Sequence, residues 1–110
     1  MNRTTYLGEL EQMILLTVLR LRDGAYGRSI RDEMAGQVGR EVTRSAAYIT
    51  LERLAEKGYL TTRMGNPTPE RGGRAKRYYE LTAAGKEALR ESGRAFMRLW
   101  AGQESLLEEM

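Results

Sequence analysis

The chain contains no cysteine and no histidine. Disulfides, thiolate chemistry, imidazole bases and the usual zinc sites are excluded by those two absences. Only carboxylates, lysine, tyrosine, serine and threonine remain for catalysis, and no convergent set of them stands out. The inventory is that of a protein that is not an enzyme and holds neither a metal nor a cofactor. No apolar run approaches the ~18 residues needed to cross a bilayer. No basic-then-apolar leader with a small-residue cleavage site is present, so a cytoplasmic location is expected.

What is present is ordinary in amount and unusual in distribution. With 110 residues, 41% of them hydrophobic and 30% charged, the chain has room for one core. The net charge is only +3, yet residues 40–79 hold nine bases against four acids. The last ten residues carry Glu104, Glu108 and Glu109 with no base. Positive charge is therefore gathered in the middle third, where a polyanion is the natural partner.

Periodicity places four helices and a hairpin along the chain. Residues 9–22 read as a first helix with Leu10, Ile14, Val18 and Leu21 at helical spacing. Met13, Leu15, Leu16 and Leu19 make that helix apolar nearly all round, which suggests burial on more than one side and hence a partner chain. After Asp23-Gly24 a second helix runs from Tyr26 to Gln37, with Tyr26, Ile30, Met34 and Val38 on one face. Thr43 is a plausible N-cap for a third helix ending at Gly58, with Ala47, Leu51, Leu54 and Ala55 inward. Residues 59–64 and 75–82 alternate as strands, joined by the Gly- and Pro-containing loop 65–74. Thr82 caps a last helix predicted from Ala83 to about Glu109.

In that last helix Leu89, Ser92, Phe96, Leu99, Gln103, Leu106 and Met110 step by three and four, as a heptad seam does. Such a helix is roughly 40 Å long, whereas the preceding residues form a body about 30 Å across. Part of the helix must overhang and its seam needs cover. Met13, Leu16, Leu89, Phe96, Leu99 and Leu106 are accordingly the expected interface of a homodimer. Gly93 and Gly102 weaken the helix and permit a bend.

The order helix, helix, turn, helix, basic hairpin is that of a winged helix-turn-helix, so the fold class expected is mainly α with a small β-hairpin. Residues 1–82 form the DNA-binding part and 83–110 a long dimerisation helix, together one unit. The third helix is expected in the major groove, with Arg44, Ser45, Tyr48, Thr50 and Arg53 facing base edges and phosphates. The segment PERGGRAKRYYELT (69–82) supplies Arg71, Gly72, Arg74, Lys76 and Arg77 to the backbone and minor groove. Its glycines admit close approach to phosphates and its tyrosines anchor the tip. Arg44 adds a second signal, because a base sits badly at the positive end of a helix unless an anion offsets it. Phe96, Met97 and Trp100 admit two readings, dimer packing or the wall of an apolar effector pocket. Two rival functions are a winged-helix module that binds protein and a nonspecific architectural DNA binder.

The stretches LGELEQMILLTVLRL, AYGRSIRDEM, TRSAAYITLERLAEKGYL and ERGGRAKRYYELTAAGKEAL resemble the PadR family of bacterial transcriptional regulators, short type with a single C-terminal helix. The resemblance runs from Leu7 to about Leu99. It implies a homodimeric repressor on a palindromic operator, the C-terminal helix packed on the partner's first helix, and release by an aromatic or drug-like small molecule. The tail after Leu99, short, acidic and interrupted by Gly102, departs from that pattern.

Overall fold

Local signals start each helix where capping chemistry demands it. The computed structural model describes residues 6–66 and 75–109. Arg71, Gly72 and Arg74, assigned above to DNA contact, and Met110, at the end of the seam, lie outside the described residues. Helix α1 spans Glu9–Leu21, and the Glu11 carboxylate accepts the Gly8 N–H at 3.0 Å, satisfying an otherwise orphan donor at the helix start. A 3-10 turn, Arg22–Gly24, leads to α2, Gly27–Val38. There the Ser29 hydroxyl accepts from Tyr26 N at 2.9 Å and donates to Gly24 O at 2.6 Å. Helix α3, Arg44–Glu56, is capped by the Thr43 hydroxyl, which accepts from Ala46 N at 3.1 Å, and gives way to Gly58 at φ 82°.

Strands β1 (Leu60–Met64) and β2 (Arg77–Leu81) pair antiparallel, with Leu60 opposite Leu81 and Met64 opposite Arg77. The free side of β2 is used as well. Tyr26 bridges Tyr78, and Tyr79 N donates to Ala25 O at 2.8 Å. The wing root is thereby tied to the segment that enters α2.

One core is shared by the three helices, both strands and the chain beyond them: Ile14, Leu15 and Val18 of α1, Ile30 and Met34 of α2, and Ala47, Leu51 and Leu54 of α3 meet Leu60, Tyr79 and Leu89. Val38, on the same spacing as Ile30 and Met34, is exposed, because α2 ends there before it reaches the body. Leu16 and Leu19 of α1 stay open to solvent while Ile14, Leu15 and Val18 are covered.

Helix α4, Ala83–Trp100, begins at Thr82, whose hydroxyl accepts from Gly85 N at 3.0 Å and donates to Gly58 O at 2.6 Å. A Cβ at Gly85 would stand 2.2 Å from the Tyr59 carbonyl oxygen, so only glycine lets α4 lie this close to the chain entering β1. The seam is buried over its first half and bare over its second. Gly85, Leu89 and Ser92 are covered, and the Ser92 hydroxyl accepts from Leu7 N at 2.9 Å, while Phe96 and Leu99 are 55% and 77% exposed. Leu89 therefore packs in its own chain's core, a correction to its assignment as an interface residue. The reason is that the body extends further along α4 than the sequence shows.

The expected continuous helix to Glu109 is also corrected. It stops at Trp100, turns through residues 101–103 with Gly102 at φ 79°, and resumes as the single-turn α5, Glu104–Glu108. That φ is costly for any residue with a Cβ. Even so, the radius of gyration, 16.2 Å, exceeds the about 13 Å expected for a compact chain of this length, in keeping with an overhanging α4. No described helix is long and apolar enough to cross a membrane.

Candidate nucleic-acid interface

Helix α3 sorts its side chains by face. Ala47, Leu51 and Leu54 turn inward, so Arg44, Ser45, Tyr48, Ile49 and Arg53 turn out, as a period of 3.6 dictates. Thr50 belongs to the inner set. It is buried, and its hydroxyl donates to the Ala46 carbonyl at 2.9 Å, so it is withdrawn from the residues expected in the groove. Its place one residue before Leu51 puts it on the edge of the core stripe, and the tertiary contacts decide the edge.

The outer face of α3 forms one wall of a cleft of about 890 Å³, with the start of α2 and the entry to β2 as the others. Five cations line it: Arg28 and Arg31 from α2, Arg44 from α3, and Lys76 and Arg77 from the wing. No carboxylate is among its lining residues. Two helix N-termini, those of α2 at Gly27 and Arg28 and of α3 at Arg44 and Ser45, open onto the same space. Their unpaired N–H groups and dipoles favour an anion there. Arg44 and Arg53 make no ion pair with any described residue.

The other cations are held by neighbours in ways that aim them. Arg31 Nε donates to Val42 O at 3.0 Å. Arg28 lies 3.7 Å from Asp32 one turn along α2, a loose and exposed pair worth little. Arg77 Nη1 meets Glu52 Oε1 of α3 at 3.1 Å and also hydrogen-bonds the Tyr79 hydroxyl, a contact that raises the guanidinium's already high pKa. Burial raises the Tyr79 pKa, with the Arg77 hydrogen bond acting the other way, so this phenol stays neutral near pH 7.

A stacked ladder fixes the wing root. The Lys76 ammonium sits 4.3 Å above the Tyr26 ring, Tyr26 meets Tyr78 edge-on at 5.6 Å and 70°, and the Arg63 guanidinium lies 4.6 Å over Tyr78. Arg63 further donates to Glu80 and to the Asp23 carbonyl, each at 3.0 Å. Lys76 is thus oriented by cation–π attraction while its charge remains at the cleft. Of the residues expected at the interface, the structure brings Arg44, Ser45, Tyr48, Lys76 and Arg77 together and leaves Arg53 further along the outer face of α3. Arg28 and Arg31 join them unforeseen, and Ile49 joins them from the outer face of α3. Arg28 and Arg31 stand on the polar side of AYGRSIRDEM, a spacing visible in the sequence. That this side faces α3 is not.

A second, apolar cleft of about 480 Å³ lies where α5 meets the end of α4, lined by Phe96, Leu99, Trp100, Gln103, Leu106 and Leu107. Met97, 71% exposed, projects outside it.

Three helices carrying a two-stranded wing, with cations converging on the third helix and the wing root, define a winged helix-turn-helix. The sequence profile of the transcriptional regulator PadR-like family matches residues 15–91, and the chain belongs to that family. Solved structures agree in fold. A PadR family transcription regulator from Clostridium difficile superposes with TM-score 0.71 at 19% identity, over 91% of this chain and 99% of that one. A PadR family regulator from Eggerthella lenta gives 0.69 at 28% identity, over 91% and 87%. Bacillus subtilis PadR, solved in complex with operator DNA, gives 0.59 at 28% identity over 74% of this chain and 46% of its own. No curated protein matches the chain in sequence.

Proposed function

We propose that this protein binds operator DNA as a homodimer, represses transcription from a palindromic site, and releases it when a small apolar effector binds. It acts in the cytoplasm, with residues 1–82 gripping DNA and 83–110 joining the subunits. The observation that carries this reading is the cationic cleft, in which two helix N-termini and five bases face the outer side of α3 with no acid among them. A duplex supplies the matching partner, phosphates for the bases and base edges for Ser45, Tyr48 and Arg53. The complex of Bacillus subtilis PadR with operator DNA supports it by likeness.

The homodimer rests on a different surface. Leu16 and Leu19 of α1 and Phe96, Met97, Leu99 and Trp100 of α4 are all exposed, more large apolar side chains than a lone molecule leaves bare without cause. A second copy covers them, with Met13, half-buried, and Leu106, 54% exposed, at the margin. An effector fits the apolar cleft, where the Trp100 ring stands ready to stack on a flat ligand. Titrating aromatic compounds into the protein quenches or shifts Trp100 fluorescence on this reading, and a silent response across a broad panel counts against the effector.

Salt dependence tests the central claim. With three or four phosphates neutralised per subunit, the logarithm of affinity falls against the logarithm of salt concentration with a slope of roughly −5 to −7. A slope of about −1 means the cleft does not grip the backbone.

A further inference from the structure

We infer that Ile49 reads the C5-methyl group of a thymine in each half of the operator, an assignment that rests on the DNA-binding reading above. Ile49 is 56% exposed in the second turn of α3. It points away from Leu51, which lies two residues on and is fully buried, because two residues turn a helix by about 200°. Its neighbours one turn away on the same face are Ser45 and Arg53, both polar and exposed. Ile49 does not pack against the core.

Nothing among the described residues accounts for isoleucine at this place. A β-branched residue is a mediocre helix former, and on a wet face a straight polar chain is better. The site is the wall of a cleft lined by five cations, where the exposed apolar neighbour of Ile49 is Tyr48. The exposed apolar residues of α4 lie around a separate cleft with Phe96 and Trp100. A second copy of this chain, or an apolar peptide, would have to bury Arg28, Arg44 and Lys76 to reach Ile49. A duplex neutralises those charges with phosphate.

Among the groups that DNA displays in its major groove, donors and acceptors outnumber everything else, and the thymine methyl is the apolar exception. An aliphatic side chain on the groove-facing side of α3 therefore has one complementary partner. Ser45 and Arg53 satisfy polar edges on either side, and Ile49 discriminates thymine from cytosine between them.

The test uses the intact protein and a duplex selected from a random library by binding to it. Each thymine is replaced in turn by deoxyuridine, which deletes the methyl and leaves base pairing untouched. At one position in each half-site the replacement weakens wild-type binding by about fourfold, the worth of one buried methyl. Replacing both symmetric positions weakens it by about fifteenfold. Ile49→Ala binds the thymine duplex correspondingly less well and is indifferent to uracil at that position, while still responding to uracil elsewhere. Because Ile49 is exposed, the variant melts as the wild type does.

Ile49→Ala with undiminished affinity overturns the inference, as does a uracil scan that affects both proteins alike at every thymine. In either case the steep salt slope persists and DNA binding itself stands. If the library yields no enriched sequence and the slope is shallow, the DNA-binding reading falls and this inference goes with it.

Discussion

Single side chains in this protein act mostly by joining segments far apart in sequence. Glu11 ties the first turn of α1 to the end of α3, with Lys57 Nζ at 2.7 Å and the Gly8 N–H at 3.0 Å. Burial pushes its pKa up, but Lys57 and the Gly8 N–H outweigh it, and the carboxyl ends below its ordinary value. A depressed folded-state pKa means the contribution to stability is full above the unfolded-state value and is lost as pH falls through the folded one. Glu11→Gln is therefore less stable than wild type at neutral pH, and the gap closes as acidification carries the carboxyl through its lowered folded-state pKa. Urea midpoints measured across that range check this, and a gap that stays constant with pH contradicts it. Glu52 is a second joining residue. It holds Arg77 of the wing against α3, which fixes that cation at the cleft.

At the scale of the element, the last helix is the least regular part of the fold. Leu89 and Ser92 anchor its first half, and its second half leaves the body behind. The turn at residues 101–103 then tips α5 so that Leu106 and Leu107 close over Phe96 and Trp100. The apolar cleft exists because of that turn, and the turn depends on Gly102 at φ 79°. Gly102→Ala costs about 1–2 kcal/mol in the bent form and nothing in a continuous helix. It is expected to fuse α4 with α5, raise the far-ultraviolet helical signal and abolish any ligand response at Trp100. An unchanged helical signal would show that α5 is held by contacts stronger than the backbone preference. The wing behaves oppositely: its root is fixed by the Lys76–Tyr26–Tyr78–Arg63 ladder.

The whole molecule measures 54 × 39 × 22 Å, with its cationic cleft and its apolar clusters in separate places. Separation of this kind lets one face meet DNA while another meets a second subunit. On the proposed reading the two functions are coupled by geometry, because two clefts bind a palindrome jointly only when the subunits are joined. Met97→Lys combined with Leu99→Lys places charge on the most exposed apolar residues of α4. The double variant is expected to sediment as a monomer at micromolar concentration, keep its helical content, and lose roughly half of the salt slope along with most of its affinity. A variant that stays dimeric places the interface elsewhere.

Much of this was legible before any coordinates. Thr43 and Thr82 announce helix starts, the spacing of Ala47, Leu51 and Leu54 gives the inner face of α3, and Arg44, Lys76 and Arg77 of the cationic cleft belong to the basic middle of the chain. Each is a local signal, carried by capping chemistry or by a period of 3.6 residues. Which edge residues fall inward is not local. Thr50 and Leu89 are buried by elements distant in the chain, just as Leu7 N finds Ser92 across 85 residues. The composition and periodicity of this sequence determined its helices, their order and the sign of its charge. Only the tertiary structure decided that the starts of α2 and α3 converge with the wing root on one cleft, and that α4 breaks at Gly102. Convergence depends on packing among remote segments, and the break depends on a small difference between a strained turn and the apolar contacts it permits.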